Sequence, residues 1–381
     1  MRNHYDVAVI GGGPAGLAAA TVLSSAGKSV ALFEKQQYSF HRVCGEYLSR
    51  ESIPFLRQIG LSLEWPALPA IRRLQLTTPG GLTIDRPLPL GGIGVSRYTL
   101  DGALASLAKK KGVMVLENTR VTGVSAEKQA HHITTGREAF TARVVIGAFG
   151  KRSNLDRVLG RDIPDPATSP AENYLGVKYH IRADKPVDTI QLHLFPRGYC
   201  GVSTVDDGRV CFCYLSSAGN LRAAGGDVRR MEETILARNP RLAEFLSGFR
   251  SEYEEPLVIS QVHLQQKPVV EHGMLMLGDA AAMIAPLTGN GMSMALRSAT
   301  LAAPPVLRFL EDRITRESLE KQYAAAWRRQ FSGRLRTARF LQNLLLTPRL
   351  GDYLCWMLDT FHLPLGPVIS RTHGEAFSVT I

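Results

Sequence analysis

The sequence has few cysteines, and none of them is arranged as a structural framework requires. The five cysteines are an odd number, no two form a C-x-x-C pair, and their spacing does not suggest a zinc site. We therefore expect no disulfide scaffold, no bound metal and a reducing, cytoplasmic compartment. Long apolar runs are also missing, which excludes a transmembrane helix. Residues 7–10 lead straight into glycines, which argues against a secretory signal.

Acidic residues are absent from residues 321–349, although the whole chain carries a formal net charge of +11. The basic residues of this segment are Lys321, Arg328, Arg329, Arg334, Arg336, Arg339 and Arg349, and its large apolar residues are Trp327, Phe331, Leu335, Phe340 and Leu344. Their helical spacing favours peripheral contact with an anionic membrane surface, such as the inner membrane, over a nucleic-acid partner. The alternative is a solvated helix whose apolar side packs against the protein body.

The chain does contain a strand–turn–helix–strand pattern at its start. Gly11, Gly13 and Gly16 form G-x-G-x-x-G between an apolar strand and a helix. Glycines at this spacing allow a tight turn, the close approach of a pyrophosphate and the packing of helix on strand. The N–H groups of the helix N-terminus favour phosphates. Glu34 ends the second strand, where a carboxylate holds a ribose hydroxyl and disfavours a 2′-phosphate.

Two later segments continue this theme. Gly278 and Asp279 follow an apolar strand, and a carboxylate at the carboxyl end of a strand faces the ligand crevice of an open α/β sheet. Residues 286–292 (P-L-T-G-N-G-M) then open a long helix. Their glycines let the backbone approach a flat ring, and the helix N-terminus favours the negative charge that accumulates on a reduced flavin. Together with the glycine loop, these segments predict FAD as the cofactor.

The order of these motifs resembles the FAD-dependent superfamily of aromatic hydroxylases, flavin halogenases and geranylgeranyl reductases. The resemblance covers almost the whole chain and includes Arg97 with Asp101 at a helix start. The run R-V-C-G-E at residues 42–46 is similar to the reductase branch, in which C-G-E or C-G-G lies beside the flavin. Residues 147–153 are similar to the G-A-D-G-x-x-S motif of the hydroxylases. Phe149 replaces its aspartate, which in that branch helps to bind both FAD and the nicotinamide donor.

Two absences narrow the resemblance. The W-x-W-x-I-P motif of the halogenases is missing, and no second G-x-G-x-x-G occurs, which disfavours the disulfide reductases with two nucleotide folds. NADH or NADPH would therefore dock transiently in a shared groove. The residues that we expect to contact FAD are Gly11, Gly13, Pro14, Ala15, Gly16, Glu34, Lys35, Arg42, Cys44, Gly45, Arg97, Val121, Gly150, Gly278, Asp279, Pro286, Gly289, Asn290, Gly291 and Met292.

The resemblance implies an α/β fold with a Rossmann-like FAD-binding domain, an inserted antiparallel β-sheet substrate domain and a helical C-terminal region. We expect the FAD-binding domain in residues 1–75, 96–160 and 264–310, the substrate domain in residues 76–95 and 161–263, and the C-terminal region in residues 311–381. Strand-like runs between residues 173 and 262 support the antiparallel sheet. Cys211 and Cys213 are two residues apart in one of these runs, so they should share one face of a strand.

Cys44 and His193 are the candidate catalytic residues. Cys44 is either a small apolar residue packed near the flavin ring or a group that tunes the flavin or touches the substrate. His193, Tyr199 and Cys200 belong to the sheet expected to cover the active site, where any of them could meet the substrate. A buried or surface role is the simpler interpretation for each of these three residues taken singly.

Three functions remain open for such a chain. The first is an NADH- or NADPH-driven flavin monooxygenase that hydroxylates a hydrophobic aromatic or polyketide-type small molecule in secondary metabolism. The alternative, favoured by the C-G-E run and the basic helix, is a geranylgeranyl-reductase-like flavoenzyme that saturates double bonds of a prenyl or lipid substrate. A non-catalytic FAD-binding or membrane-associated scaffold is the third.

Overall fold

Two β-sheets and eleven α-helices make up the described part of the chain. The structure, a computed structural model, describes residues 3–127, 130–136, 138–161, 173–182, 188–248, 250–252, 255–264, 266–347, 350–361 and 366–380. The strands are β1 (His4–Ile10), β2 (Val30–Phe33), β3 (Tyr47–Ser49), β4 (Ala70–Thr77), β5 (Thr83–Gly94), β6 (Met114–Leu116), β7 (Val121–Ala126), β8 (His131–Thr135), β9 (Ala139–Gly147), β10 (Tyr174–Arg182), β11 (Thr189–Phe195), β12 (Gly198–Thr204), β13 (Val210–Ser217), β14 (Arg250–Ser251), β15 (Leu257–Val262), β16 (Val270–Glu271) and β17 (Met274–Met276). The helices are α1 (Pro14–Ser25), α2 (Ile53–Gln58), α3 (Arg97–Lys110), α4 (Asn154–Val158), α5 (Ala218–Ala223), α6 (Val228–Thr234), α7 (Pro240–Gly248), α8 (Gly291–Leu310), α9 (Arg316–Leu346), α10 (Leu350–Thr360) and α11 (Gly366–Thr372).

The first sheet holds the predicted strand–turn–helix–strand unit at its centre. Its strand order is β16-β17-β9-β1-β2-β6, and β8 and β7 extend it from β9. β1 is parallel to both β2 and β9, in a register that places Ile10 opposite Phe33 and opposite the last residue of β9. Helix α1 packs against α3 and α8. The carboxyl ends of the three strands meet at one edge, which brings Gly11 and Glu34 together.

The second sheet carries the predicted antiparallel strands. Its order is β14-β10-β13-β12-β11-β4-β5-β3, and only the β11–β4 pair is parallel among its described pairs. Side chains alternate along β13. Phe212 and Tyr214 pack toward helices α6 and α7, whereas Cys211 and Cys213 share the opposite face, as their spacing predicts. We call this opposite face, which turns toward the first sheet's domain, the inner face.

The expected domain boundary at residue 75 differs from the observed sheet. It falls inside β4, all of which pairs with β5 and β11, and β3 also belongs to the second sheet. Strand pairing over long distances has no local sequence signal, so the boundary could not be placed from residue patterns. The consequence is that residues 42–46 run directly into β3 and lie at the junction of the two sheets.

The basic C-terminal helix, α9, is mainly a packed helix. Trp327, Phe331 and Leu335 are buried in the same core as the first sheet, whereas Phe340 is 65% exposed. This arrangement supports the packed-helix alternative for α9, with Phe340 on its exposed side. Within the described residues, no helix combines the length and the apolar character that crossing a bilayer requires.

Candidate active site

The loop between β1 and α1 uses its glycines for two purposes. Gly11 has a φ of +105°, and a Cβ there would lie 2.4 Å from the carbonyl oxygen of Ala148. A Cβ at Gly16 would lie 2.0 Å from the oxygen of Gly11, so the protein's own packing requires both glycines. Among the described residues, a Cβ at Gly13 would meet only Arg97 Nη2, at 3.6 Å. Gly13 therefore has an open side for a pyrophosphate, and no side chain caps the helix it begins.

Glu34 fixes this loop from the end of β2. Its Oε2 accepts hydrogen bonds from Gly12 N at 2.9 Å and Arg42 Nη2 at 3.0 Å, and its Oε1 accepts from Gln36 N at 3.1 Å. Tyr38, which sequence reasoning missed, donates its hydroxyl to Gly12 O at 2.6 Å. Burial, reinforced by the Glu34 carboxylate, raises the pKa of Tyr38, so that its hydroxyl remains a donor.

Two arginines share one buried carboxylate beside the loop. Arg97 binds Asp101 through both oxygens, with Nε–Oδ1 and Nη2–Oδ2 distances of 2.9 and 2.6 Å. The Nε of Arg42 lies 3.6 Å from Asp101 Oδ2. The bidentate pair fixes the guanidinium of Arg97 next to Gly13, where a cation could neutralise a phosphate. The resemblance had placed Arg97 with Asp101, one helical turn apart, but no local motif indicated that Arg42 would share the same carboxylate.

Asp279 lies just beyond the carboxyl end of β17, as its place in the sequence predicts. Gly278 has a φ of +58°, and the Asp279 side chain is half-buried. Within the described ranges, its carboxylate makes no hydrogen bond or ion pair with another residue. Burial raises its pKa, against the opposing charges of Lys151, Arg97 and Lys267. An accessible carboxylate without a protein donor fits the hydroxyl groups of a ribityl chain.

The segment before α8 presents backbone rather than side chains. Gly289 has a φ of +68°, and a Cβ there would lie 3.3 Å from the ring of Tyr47. Asn290 is buried and donates its amide to Thr372 O at 3.2 Å, so it does not cap the helix. Among the described residues, no side chain caps the N-terminus of α8. Together with Gly13 and Asp279, this helix terminus makes a set of residues that fits FAD.

The remaining predicted contacts fall around the same edge with different exposures. Pro14 and Ala15 are buried in the first turn of α1, Met292 is buried in α8, and Pro286 begins the short 3₁₀ turn before Gly289. Gly45 and Gly150 face open space, since a Cβ at either would meet nothing within 4 Å. Lys35 is exposed and Val121 is buried at the start of β7. Their contact with FAD stays a prediction.

His193 is not brought to this site. Its Nδ1 lies 2.8 Å from Thr77 Oγ1, and its ring packs against Phe245 of α7 on the outer face of the second sheet. Burial lowers its pKa to about 4, so the imidazole is neutral there. Leu192 and Leu194 take the inner face because strand residues alternate. The catalytic role expected for His193 is therefore corrected to a structural one. Sequence alone could not decide which face it occupies.

Cys44 lies in the loop that joins the two sheets. Its thiol is half-buried and interacts with the guanidinium of Arg97. The backbone around it is held by the sheet, because Cys211 Sγ donates to Cys44 O at 3.4 Å and Glu46 N donates to Cys44 Sγ at 3.5 Å. Tyr199, Cys211 and Cys213 line the inner face of the sheet opposite this loop. Cys44, unlike His193, is thus placed beside the predicted cofactor residues.

Glu46, two residues later, joins both domains through one buried carboxylate. Its Oε1 accepts hydrogen bonds from Lys178 Nζ at 2.5 Å and from Arg97 N at 2.8 Å, and its Oε2 lies 2.6 Å from His180 Nε2. Burial acts to raise the pKa of Glu46, but the hydrogen bond of His180 and the charge of Lys178 prevail and lower it to about 2. We call Glu46, Lys178 and His180 the Glu46 junction.

Lys178 decides the chemical character of this junction. Its side chain is fully buried and its Nζ also donates to Arg42 O at 3.2 Å. His41, Glu46 and His180 approach one another closely enough to hold a cation, but the ammonium already neutralises the carboxylate. The junction is therefore a structural ion pair. The sequence indicated this junction only weakly. Lys178 and His180 are two residues apart in an otherwise apolar strand, so they lie on one face of it.

Comparison with known proteins agrees with this arrangement. A family model described as an FAD binding domain matches residues 4–330. The chain belongs to this FAD-binding family. Proteins that resemble it over most of its length include reductases, and the chain is an FAD-dependent oxidoreductase. FAD binding thus follows from the family as well as from the loop at Gly13.

Three proteins illustrate what this FAD-binding protein resembles in sequence or in fold. Conditioned medium factor receptor 1 of Dictyostelium discoideum is 26% identical over 87% of this chain and 68% of its own length. Digeranylgeranylglycerophospholipid reductase of Methanosarcina acetivorans is 26% identical over 86% of this chain and 81% of its own. The crystal structure of a geranylgeranyl bacteriochlorophyll reductase-like protein from Thermoplasma acidophilum covers 100% of this chain and 94% of its own, with a TM-score of 0.77 and 21% identity. This last likeness shows the fold.

Proposed function

We propose that this protein reduces carbon–carbon double bonds in a prenyl or other lipid chain. The observation that carries the proposal is an apolar cluster beside the segment that precedes α8. It contains Leu287 of that segment, Tyr199 and Leu215 of the second sheet, and Cys355 of α10. A site with such a wall suits a hydrocarbon better than a polar phenol. The reductase of Methanosarcina acetivorans, which its name assigns to a geranylgeranyl phospholipid, supports the same choice.

The chemistry requires two electrons and two protons for each double bond. Bound FAD would carry the two electrons, and NADH or NADPH would reduce it again. One carbon of the double bond gains a hydride equivalent and the other gains a proton. We assign the proton to the Cys44 thiol, which water would reprotonate. Burial raises the pKa of both Cys211 and Cys213, so these neighbours of Cys44 remain uncharged.

Hydroxylation, the first function suggested by the motif order, becomes the second candidate. It shares the fold and the cofactor with double-bond reduction. The preference changes because a reductase stands among the relatives and because Phe149 replaces the aspartate of the hydroxylase motif.

Anaerobic incubation with a lipid tests the proposal. FAD-loaded protein is reduced with NADH, NADPH or dithionite and mixed with a geranylgeranylated phospholipid in detergent. We expect the flavin to reoxidise and mass spectrometry to show two added hydrogens per double bond. The Cys44→Ala variant should reoxidise about a hundredfold more slowly. Cys200→Ala, which alters a buried cysteine on the outer face, serves as its control.

Two outcomes would overturn the proposal. If the flavin stays reduced and the lipid is unchanged, the protein is not a reductase of such double bonds. If a hydroxylated product forms from an aromatic substrate, and only in air, the monooxygenase alternative is correct. Equal rates in Cys44→Ala and Cys200→Ala would remove the role given to the Cys44 thiol.

A further inference from the structure

Exposed apolar side chains are concentrated at one place on the molecule. In the part of the chain that the structure describes, ten large hydrophobic residues are exposed, and five of them lie within residues 340–361. These five are Phe340, Leu350, Tyr353, Trp356 and Phe361, with exposures of 65%, 39%, 54%, 49% and 63%. Scattered exposed hydrophobics are ordinary on a soluble surface, but a contiguous group of this kind marks an interaction site.

Four of these residues form one surface on α10 and its end. Leu350, Tyr353 and Trp356 are three residues apart, so they occupy neighbouring positions along α10, and Phe361 follows the end of the helix. The rings of Tyr353 and Trp356 stack with centroids 5.8 Å apart, and those of Trp356 and Phe361 meet edge to face at 6.3 Å. We call these four residues the α10 surface.

The opposite side of α10 is apolar as well. Cys355 is fully buried there, and Leu358 packs into the apolar cluster that contains Leu287. A helix that is apolar on both sides is ordinarily covered on both sides. Within the described ranges, the second sheet and α9 pack on the side that holds Cys355 and Leu358. Asp359, which would oppose burial of the other side, is paired with Arg86 at 3.6 Å.

The preceding helix, α9, carries exposed cations in addition to the exposed Phe340. Arg329 and Arg336 are exposed and share one face of α9 with Phe340, at intervals of seven and four residues. Arg339 is exposed beside them, and an open groove on this face is lined by Leu335, Arg336 and Phe340. Arg334 does not take part, because it turns inward to within 3.5 Å of Glu51.

We propose that the α10 surface and these cations dock the protein on an anionic lipid bilayer. Tyrosine, tryptophan and phenylalanine prefer the boundary between headgroups and acyl chains, where one side of a ring is apolar and the other is wet. Arginines beside such a patch bind anionic headgroups, each raising affinity about fivefold. A water-soluble partner would explain the aromatic residues of the α10 surface. An anionic bilayer explains both these residues and the exposed cations of α9.

Docking in this orientation gives a lipid a short path to the cofactor segment. The side of α10 opposite the α10 surface belongs to the cluster that reaches Leu287. This cluster is closely packed in the structure, so a prenyl chain would follow it to the predicted flavin only by separating its side chains. This path rests on the proposed function, whereas docking itself does not.

Co-sedimentation with vesicles tests the docking. FAD-loaded protein is mixed with phosphatidylcholine vesicles, with and without phosphatidylglycerol as about one third of the lipid. We expect binding to the anionic vesicles and a blue shift of tryptophan emission. Replacing Tyr353, Trp356 and Phe361 by serine should weaken binding about tenfold or more and abolish the shift. The R329E/R336E variant should lose most of its preference for anionic vesicles.

The chain offers a matched control for the aromatic variant. Met114, Val158 and Val258 are exposed to 42%, 56% and 50% but lie on β6, α4 and β15. Their triple serine variant should bind within about twofold of the unchanged protein. Equal binding by both triple variants would overturn the proposal. The proposal would also be overturned if the unchanged protein formed a dimer and bound no vesicles, and if the aromatic variant alone lost that dimer. Because the reductase assay uses detergent, failure of docking leaves its result unaffected, and the reverse also holds.

Discussion

Glu34 and Glu46 are both buried carboxylates near the predicted cofactor, but they are held in different ways. Glu34 is 3% exposed and accepts N–H groups from Gly12 and Gln36, with Arg42 as its cation. Glu46 is fully buried and depends on Lys178 and His180, which are more than 130 residues away in the sequence. The first carboxylate shapes a local loop, and the second ties two domains together.

This difference separates two tasks within one site. A carboxylate that binds backbone N–H groups of a glycine loop controls how the loop meets a nucleotide. A carboxylate that neutralises a buried ammonium controls whether the domains meet at all, because an unpaired charge would be left in the interior. We therefore expect substitutions at Glu34 to act mainly on FAD affinity and substitutions in the Glu46 junction to act on stability and on the Cys44 loop.

The largest effect is expected for Lys178→Met. Removing the ammonium leaves the Glu46 carboxylate buried with only His180 and Arg97 N as partners. We expect the free energy of unfolding to fall by about 3–5 kcal/mol, as measured by urea titration of the FAD-loaded protein. Lys109→Met is the matched control, since Lys109 pairs with Glu117 at the exposed surface and should cost less than about 1 kcal/mol. A loss of similar size in both variants would contradict the comparison.

The pH dependence of stability should show the next largest effect. The pKa of Glu46 is lowered from 4.5 to about 2 in the folded protein. A lowered pKa means that the ionised form favours folding, so this stabilisation is present above pH 4.5 and is lost as the pH falls toward 2. As the pH falls from 4.5 to 2, the free energy of unfolding should fall by about 3 kcal/mol less in Glu46→Gln than in the unchanged protein. Parallel pH profiles for the two proteins would show that Glu46 carries no such stabilisation.

A smaller effect is expected for Glu34→Gln. The amide can still accept hydrogen bonds, but it loses the charge that pairs with Arg42 and one of its acceptor oxygens. We expect the Kd for FAD to rise about tenfold, which corresponds to about 1.4 kcal/mol. Quenching of flavin fluorescence measures the Kd, and urea titration of the apoprotein should show little change. An unaltered Kd would mean that the loop at Gly12 does not need this carboxylate.

The contrast between the local contacts of Glu34 and the long-range contacts of Glu46 also explains what the sequence could predict. The glycine loop, Glu34 and the helix start at Gly291 depend on short spacings and on the local geometry of strand, turn and helix, so motif patterns located them. The antiparallel strands and the shared face of Cys211 and Cys213 follow from alternation within one strand. These features need no knowledge of which segments become neighbours in space.

The features that sequence reasoning missed all depend on distant neighbours. The expected boundary at residue 75 cut through β4 because the pairing of β4 with β11 joins residues more than a hundred positions apart. His193 was assigned to the site because alternation does not tell which face of a sheet is inner. Lys178 and His180 were overlooked because their partner Glu46 lies in another domain. For Trp327 and Phe331 the helix pattern left two interpretations open, and their burial in the structure favours the helix packed against the protein body.

The most direct test of the account compares reoxidation rates in Glu46→Gln and Glu34→Gln at saturating FAD. Each protein is reduced without air and mixed with the geranylgeranylated phospholipid, and the return of oxidised flavin absorbance is followed. We expect Glu46→Gln to reoxidise about tenfold more slowly while its Kd for FAD is unchanged, because the Cys44 loop is displaced. Glu34→Gln should reoxidise at the rate of the unchanged protein once FAD saturates it. A normal rate in Glu46→Gln, or an equal loss in both variants, would contradict the division between a carboxylate that holds the cofactor and one that positions the chemistry.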